Sequence, residues 1–207
     1  MPWRVTAQTP TAVTMELTDT PETRVNYPFA FRMLLTYRIE RGRLHWEQAI
    51  ENHSPEPMPF NTGFHPYIRL PLTPKSRREA CFVNIPDCRR HTWTGNYELF
   101  QAEPFSAQRW SVMLDVVDSL LLDGFERPEL ALEDEGSGLE VAVNFAGAPQ
   151  YRFVVIWSRS PADPFYCIEP WTALPNPFSR LDTGELTLLP AGGVFQAAMH
   201  LEVRPRI

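Results

Sequence analysis

The segment FRMLLTYRIERGRLHWEQAIEN, residues 31–52, decides the fold class of this chain. Apolar and polar residues alternate through residues 31–40, apart from one slip at residues 34–35, and alternate again through residues 44–52. This two-residue period is typical of a strand with one buried face. The intervening residues 41–43 contain a glycine and are few enough for a tight turn, so the segment predicts an antiparallel β-hairpin.

The same alternation recurs along the chain and extends this prediction to all of it. Further strands are predicted at residues 13–18, 81–85, 130–133, 139–145, 151–157 and 195–203, with a hairpin turn at residues 134–138. The 21 prolines are scattered through the sequence and leave little room for long helices. We therefore expect an all-β fold, a large antiparallel β-sandwich, that forms one domain over residues 1–207. Residues 86–112 are expected to form an irregular loop.

Composition and charge argue against several function classes. A formal net charge of −6, with no basic cluster interleaved with aromatics, argues against nucleic acid as a partner. No apolar run approaches the roughly 20 residues that span a bilayer, and residues 1–30 lack a secretory signal pattern, so no membrane partner is expected. Cys81, Cys88 and Cys167 form no CxxC pair and are expected to be reduced thiols in a cytoplasmic protein.

Two ionisable residues inside apolar, β-prone segments are the candidate catalytic groups. They are His65, in residues 63–67 (GFHPY), and Glu169, in residues 166–171 (YCIEPW). Burying such groups without a partner is costly, and a fold that brings them to one pocket would pair a general acid with a general base. Pro66 removes a backbone donor, which predicts His65 at a sheet edge or a strand end. Such a pair is the minimum machinery for opening and closing a sugar hemiacetal.

Purely structural roles stay open for both residues at this stage. His65 would serve equally well as a histidine hydrogen-bonded to a backbone carbonyl. Glu169 would serve equally well in an ion pair with Arg152 or Arg159. The residues by themselves therefore predict a proton-transfer site without excluding a structural one.

Other residues are weaker candidates for substrate binding. Asp118 is an acid that enters an apolar run at residues 116–122. The candidate stacking surfaces for a pyranose are Phe64, Trp157 and Trp171. The candidate phosphate partners, chosen because arginine suits phosphate geometry, are Arg69, Arg159 and Arg180.

No cofactor or metal is expected from the sequence. It contains no GxSxG elbow and no glycine-rich phosphate loop. No spacing that builds a metal site links the remaining histidines, which are His45, His53, His91 and His200. Proton transfer is the chemistry that remains.

The two catalytic segments also resemble those of a known family. Residues 62–67 and 167–172 are similar to the segments that hold the acid histidine and the base glutamate of the aldose 1-epimerases, or mutarotases. The chain resembles in particular the galactose mutarotase-like branch near the hexose-6-phosphate mutarotases. Val117 and Asp118 resemble, more weakly, the position of a substrate-binding aspartate in that family.

This resemblance implies a galactose mutarotase-like supersandwich that interconverts the α and β anomers of an aldohexose or a hexose 6-phosphate. It implies Glu169 as the base, His65 as the acid and Asp118 as a substrate-binding residue. To these we add, from their chemistry, three further substrate-binding candidates: Trp171, Phe64 and Arg69. The partner would be a small sugar or sugar phosphate, and the sequence predicts no oligomeric state.

Relatives of this kind carry roughly 80 further residues before the segment that resembles residues 2–5, a length that corresponds to several strands and loops. In the relatives that stretch includes a His-Gly motif and an arginine that help to bind the sugar. We therefore expect a sandwich without those N-terminal strands. The alternative function is a catalytically impaired carbohydrate-binding β-sandwich protein, and a third possibility is a sandwich in which His65 and Glu169 are structural.

Overall fold

The computed structural model describes residues 2–116 and 118–206, and within them the chain is built almost entirely from strands. The strands are β1 (Arg4–Gln8), β2 (Ala12–Thr18), β3 (Phe31–Glu40), β4 (Arg43–Asn52), β5 (Met58–Phe60), β6 (Tyr67–Arg69), β7 (Cys81–Ile85), β8 (Cys88–Thr94), β9 (Leu99–Phe105), β10 (Gln108–Ser111), β11 (Leu120–Asp123), β12 (Glu129–Asp134), β13 (Leu139–Asn144), β14 (Phe153–Trp157), β15 (Phe165–Trp171), β16 (Thr187–Leu189) and β17 (Val194–Pro205). The helical elements are one α-helical turn, α1 (Pro21–Arg24), and the 3-10 turns Arg78–Ala80, Pro177–Ser179 and Leu181–Thr183. None of these helices, in the part of the chain described, is long and apolar enough to cross a bilayer.

The predicted hairpin is confirmed as β3 and β4. The two strands pair without a break from Phe31 opposite Asn52 to Glu40 opposite Arg43. Arg41 and Gly42 form the two-residue turn, with φ angles of 51° and 78°. Positive φ at both positions is the requirement of the tight turn that matches the twist of the flanking strands, so the glycine explains where the hairpin reverses.

Two antiparallel sheets form the sandwich, which confirms the predicted fold class. One has nine strands in the order β1-β2-β3-β4-β17-β13-β12-β7-β10, and the other has six in the order β6-β15-β14-β11-β8-β9. Their facing sides share one apolar core, with Val83, Leu132 and Val143 contributed by the larger sheet and Val154 and Ile168 by the smaller. The alternation read from the sequence therefore marks the core-facing side of strands such as β7, where Cys81, Val83 and Ile85 are buried.

The irregular loop expected at residues 86–112 is wrong. This stretch contains β8, β9 and β10, and β8 pairs with β9 over seven residues. Strand β9 is an edge strand with mostly exposed side chains, and it carries Pro104. Such a strand is held by its partner's backbone rather than by an apolar face, so its sequence shows little hydrophobic alternation.

Strand β15 divides its side chains between the core and the outer face of the six-stranded sheet. Tyr166 and Ile168 are fully buried in the shared core. Cys167, Glu169 and Trp171 point to the other face because successive strand residues alternate. The candidate base is therefore on the outer face of the smaller sheet.

Candidate active site

Strand β15 holds the side chain of Glu169 where solvent hardly reaches it. It lies opposite Val155 of β14, and its side chain is only 2% exposed. Loss of water from the carboxylate raises the pKa of Glu169 to about 8, against a smaller opposing effect of the Trp171 side chain. Glu169 thus has the proton affinity of a group that exchanges protons near neutral pH.

His65 lies in the residues that lead into β6, an edge strand of the six-stranded sheet, so the predicted edge position is confirmed. Gly63 forms an isolated antiparallel bridge with Trp171, and the Phe64 amide donates to the Pro170 carbonyl at 3.0 Å. A Cβ atom on Gly63 would lie 2.4 Å from Trp171 Cδ1 and 2.7 Å from the Pro170 oxygen. Only glycine allows this close approach, which fixes His65 beside the end of β15.

A buried polar network reinforces this approach. The Thr62 amide donates to the Thr172 hydroxyl at 2.9 Å, and the Thr172 amide donates to the Thr62 carbonyl at 2.9 Å. Gln48 of β4 donates to the Thr62 hydroxyl at 2.8 Å, and the Tyr151 hydroxyl donates to Gln48 at 3.0 Å. The segment before His65 is thereby tied to both sheets.

The geometry brings His65 and Glu169 together. His65 Nε2 lies 3.4 Å from Glu169 Oε1, and the His65 side chain is 45% exposed. Glu169 Oε1 is buried and has no hydrogen-bond partner among the described residues. The His65 ring stacks on Tyr67 at 4.7 Å with 6° between the planes. An unused buried acceptor therefore faces an imidazole that solvent can reach.

Burial acts in opposite directions on the two groups. It lowers the pKa of His65 below its usual value, although an interaction with its own backbone partly offsets this. It raises the pKa of Glu169 to about 8, so near neutral pH the carboxyl group holds a proton and the imidazole is neutral. The pair consequently holds one transferable proton, so one group can donate a proton while the other accepts one, as general acid and base catalysis requires.

The structural alternative for Glu169 is not supported by the arginines named for it. Arg152 donates to the carbonyls of Thr172 and Glu185, at 3.3 and 3.1 Å. Arg159 forms an ion pair with Asp163 at 2.6 Å. Neither arginine compensates the carboxylate of Glu169, so that carboxylate is left for another partner.

The family model described as Aldose 1-epimerase matches residues 1–176. The chain belongs to the aldose 1-epimerase family. A curated relative, the chromosomal protein LacX of Lactococcus lactis subsp. lactis, is 26% identical over 174 residues, which are 79% of this chain and 57% of LacX. The chain thus spans somewhat more than half the length of this relative.

Solved structures of aldose 1-epimerase relatives share the fold. A galactose mutarotase related enzyme from Lactobacillus acidophilus superposes with a TM-score of 0.79 at 24% identity, covering 98% of this chain and 71% of that one. A galactose mutarotase-like protein from Clostridium acetobutylicum superposes with a TM-score of 0.83 at 19% identity, covering 98% and 66%. The predicted galactose mutarotase-like sandwich is therefore confirmed.

The substrate-binding candidates of this aldose 1-epimerase family member fall in different places. Phe64 is 5% exposed and packs in the core against Trp46 and Tyr151, a position that does not favour its predicted stacking on a sugar. The isolated bridge beside it turns its ring inward, which the motif alone does not reveal. Trp171 is half-buried on the outer face next to Glu169. Its position agrees with the predicted role but does not test it.

Two further candidates lie on the periphery. Asp118 occupies an exposed turn directly before β11, and Val117 of the same motif lies outside the described residues. Arg69 is exposed in β6, on the face that also carries Tyr67. Of the other arginines considered for phosphate, Arg159 is paired with Asp163, as noted above, and the buried Arg180 is paired with Glu185 at 2.9 Å. Arg69 is thus the best placed of the three.

Two neighbours of the His65–Glu169 pair, Tyr67 and Cys167, were given no role from the sequence, whereas the third, Trp157, was already a stacking candidate. Tyr67 stacks on His65, and Trp157 meets the same ring edge-on at 5.8 Å. Cys167 is fully buried two residues before Glu169 and brings a third donor atom to the pair. The period of β15 is the signal that could have found Cys167, since residues two apart in a strand share a face.

The main cavities along the described residues are not lined by Glu169, although one of them reaches His65. An apolar cavity of about 410 Å³ touches His65 and Tyr67 from the side of the nine-stranded sheet, with Trp46 and Leu201 in its wall. A larger one of about 680 Å³ lies elsewhere, and most charged residues in its lining are paired, such as Arg204 with Glu140. The candidate site is therefore identified by the proximity of His65 and Glu169 and not by the size of a cavity.

Proposed function

We propose that the chain is an aldose 1-epimerase that interconverts the α and β anomers of an aldohexose or a hexose 6-phosphate. Glu169 is the base and His65 is the acid. The observation that carries this proposal is the unpartnered, buried Oε1 of Glu169, 3.4 Å from the half-exposed imidazole of His65. A buried acceptor left without a partner costs about 1–3 kcal/mol, and a sugar hydroxyl would supply the missing donor.

The proposed reaction moves protons only. When the anomeric hydroxyl donates a hydrogen bond to Glu169, it stabilises the carboxylate form, and the proton that Glu169 held passes to His65. Glu169 then takes the hydroxyl proton while the C1–O5 bond breaks and the aldehyde forms, and His65 gives its proton to O5. Rotation about C1–C2 and the reverse transfers close the other anomer. Each cycle returns both protons, so the reaction needs neither nucleotide nor redox cofactor.

The surroundings of the pair support a sugar as the substrate. Trp157 and Trp171 present aromatic surfaces on the outer face that carries Glu169, and aromatic faces suit the apolar side of a pyranose. Arg69, exposed on that side of β6, is our candidate partner for a 6-phosphate. Asp118 is our candidate for a sugar hydroxyl at the start of β11. We propose a cytoplasmic location, where such sugars are metabolised.

One observation favours the alternative of sugar binding with little turnover. The side chain of Glu169 is 2% exposed, so a substrate reaches it only after the covering side chains move. A protein in which this movement is rare would bind a sugar at the aromatic surface and exchange its anomers slowly. Sugar binding measured together with anomer exchange separates the two functions.

Polarimetry tests the proposal directly. Freshly dissolved α-glucose, α-galactose and α-glucose 6-phosphate are followed with the wild type, with Glu169→Gln, and with Glu103→Gln, a matched control at an exposed site on β9. We expect the wild type and the control to accelerate the change in rotation of at least one sugar, and Glu169→Gln to lose most of that acceleration. Equal rates for wild type and Glu169→Gln would remove Glu169 from the mechanism.

A further inference from the structure

Three different metal-ligating side chains converge at the candidate site. One donor atom each from His65, Cys167 and Glu169 lies within 4.8 Å of the other two. The sequence predicted no such cluster, because His65 is far from the other two along the chain. The pairing of β6 with β15 and the close approach at Gly63 bring them together. The sequence prediction of no metal did not anticipate this cluster.

The donor distances are close to those of a tetrahedral site. Zinc binds nitrogen at about 2.0 Å, oxygen at about 2.1 Å and sulfur at about 2.3 Å, so its donors lie about 3.3–3.8 Å apart. The His65 nitrogen and the Glu169 oxygen are already 3.4 Å apart. The two pairs that involve the Cys167 sulfur lie within 4.8 Å, so they exceed the donor separations of a zinc ion by at most about 1–1.5 Å.

Burial supplies a second, independent indication. Glu169 Oε1 is an acceptor with no hydrogen-bond partner in the described part of the chain, and its side chain is 98% buried. A cation would satisfy this oxygen. The His65 side chain is 45% exposed, so an ion could reach the cluster from the solvent beside it. The mixture of imidazole, thiolate and carboxylate favours zinc over magnesium or calcium, which prefer oxygen ligands alone.

We propose that His65, Cys167 and Glu169 form a zinc site that blocks the acid/base pair when it is filled. Three protein ligands leave a fourth position for water. Binding releases the Cys167 thiol proton, and any proton held by Glu169, to the solvent, since only the deprotonated groups coordinate the ion. The ion occupies the atoms that would handle the sugar's protons, so zinc is a reversible inhibitor and not a cofactor. Binding of the ion does not depend on the proposed function, whereas inhibition rests on it.

Cobalt(II) is the probe for binding, because a cobalt–thiolate bond gives a charge-transfer band in the near ultraviolet. We expect the full chain to show this band on titration with cobalt and to lose it when zinc is added. Cys167→Ser should abolish the band, whereas Cys88→Ala, at a half-buried thiol on β8, should retain it. A wild type without the band, or a band that persists in Cys167→Ser, would overturn the proposal.

His65→Ala provides a variant at an exposed side chain, where the fold is least at risk. Loss of a supporting group outside the coordination shell already costs about 10- to 100-fold in metal affinity, so loss of the ligand itself should weaken cobalt binding by at least that factor. Unchanged affinity in His65→Ala would contradict the site even if Cys167→Ser failed to fold.

Inhibition is measured as anomer exchange with and without zinc, followed by chelation. Wild type should slow with zinc and recover with chelator, and the rate of Cys167→Ser, whatever its value without zinc, should not fall when zinc is added. Zinc that inhibits both proteins equally would refute the inhibitory role. A protein that turns over no sugar yet shows the cobalt band would refute the proposed function and leave the metal site standing.

Discussion

Replacing Glu169 with glutamine should change how stability depends on pH, and the structure gives the size of the change. Burial raises the pKa of Glu169 from 4.5 to about 8. Between these two values the folded protein keeps a proton that the unfolded chain has lost, so the free energy of unfolding falls as pH rises. The contribution of this group is complete below pH 4.5 and is lost as pH rises through about 8.

The magnitude follows from the width of that window. The two pKa values differ by about 3.5 units, each worth about 1.36 kcal/mol, so the loss is on the order of 4–5 kcal/mol. Glutamine has the same shape without the charge and should not show this loss. We expect Glu169→Gln to gain stability relative to the wild type by that order between about pH 5 and pH 9.

Urea unfolding of both proteins at several pH values, in the presence of a chelator, measures this difference. The ionisable groups that both proteins share contribute equally to the pH dependence of the free energy of unfolding, so their contributions cancel in the comparison. Glu103→Gln, at an exposed site, is the control, and its free energy of unfolding should vary with pH in parallel with that of the wild type. Parallel pH curves for Glu169→Gln and wild type would show that the buried carboxylate keeps an ordinary pKa, and the reasoning from burial would be refuted.

Three further predictions concern the same site. Gly63→Ala should lower the free energy of unfolding, measured by urea titration, by about 1–3 kcal/mol. The reason is that the added Cβ would clash with Trp171 and the Pro170 carbonyl. Unchanged stability would contradict the close approach of the two segments. His65→Asn and Glu169→Gln should each slow anomer exchange by about 10²–10⁴-fold in polarimetry, and the double variant should lose much less than the product of the single losses; fully multiplicative losses would place the two residues in separate steps. Exhaustive chelation should leave exchange undiminished, and activity that vanishes and returns with a divalent ion would show a required metal.

The sequence predicts the fold better than it predicts the site. The alternation in residues 31–52 is a local property, and the hairpin that it predicts has the observed bounds within one residue. Residues 86–112 carry no such signal because β9 is held at an edge by backbone pairing. A strand of this kind becomes visible only when its partner is known.

The site could be predicted only in part, for the same reason. His65 and Glu169 stand out because ionisable groups in apolar segments are costly to bury. Their distance, the inward turn of Phe64 and the presence of Cys167 beside them depend on the bridge between Gly63 and the end of β15. That contact joins segments far apart in the chain, so no local pattern encodes it.

Exchange spectroscopy by NMR tests whether His65 and Glu169 together open the sugar ring. The method measures the interconversion of anomers at equilibrium, so it detects ring opening whichever anomer is supplied. We expect the wild type to raise the exchange rate of at least one aldohexose or hexose 6-phosphate above the spontaneous rate. His65→Asn or Glu169→Gln alone should remove most of that increase. Exchange that stays as fast in both variants as in the wild type would contradict this role of the two residues.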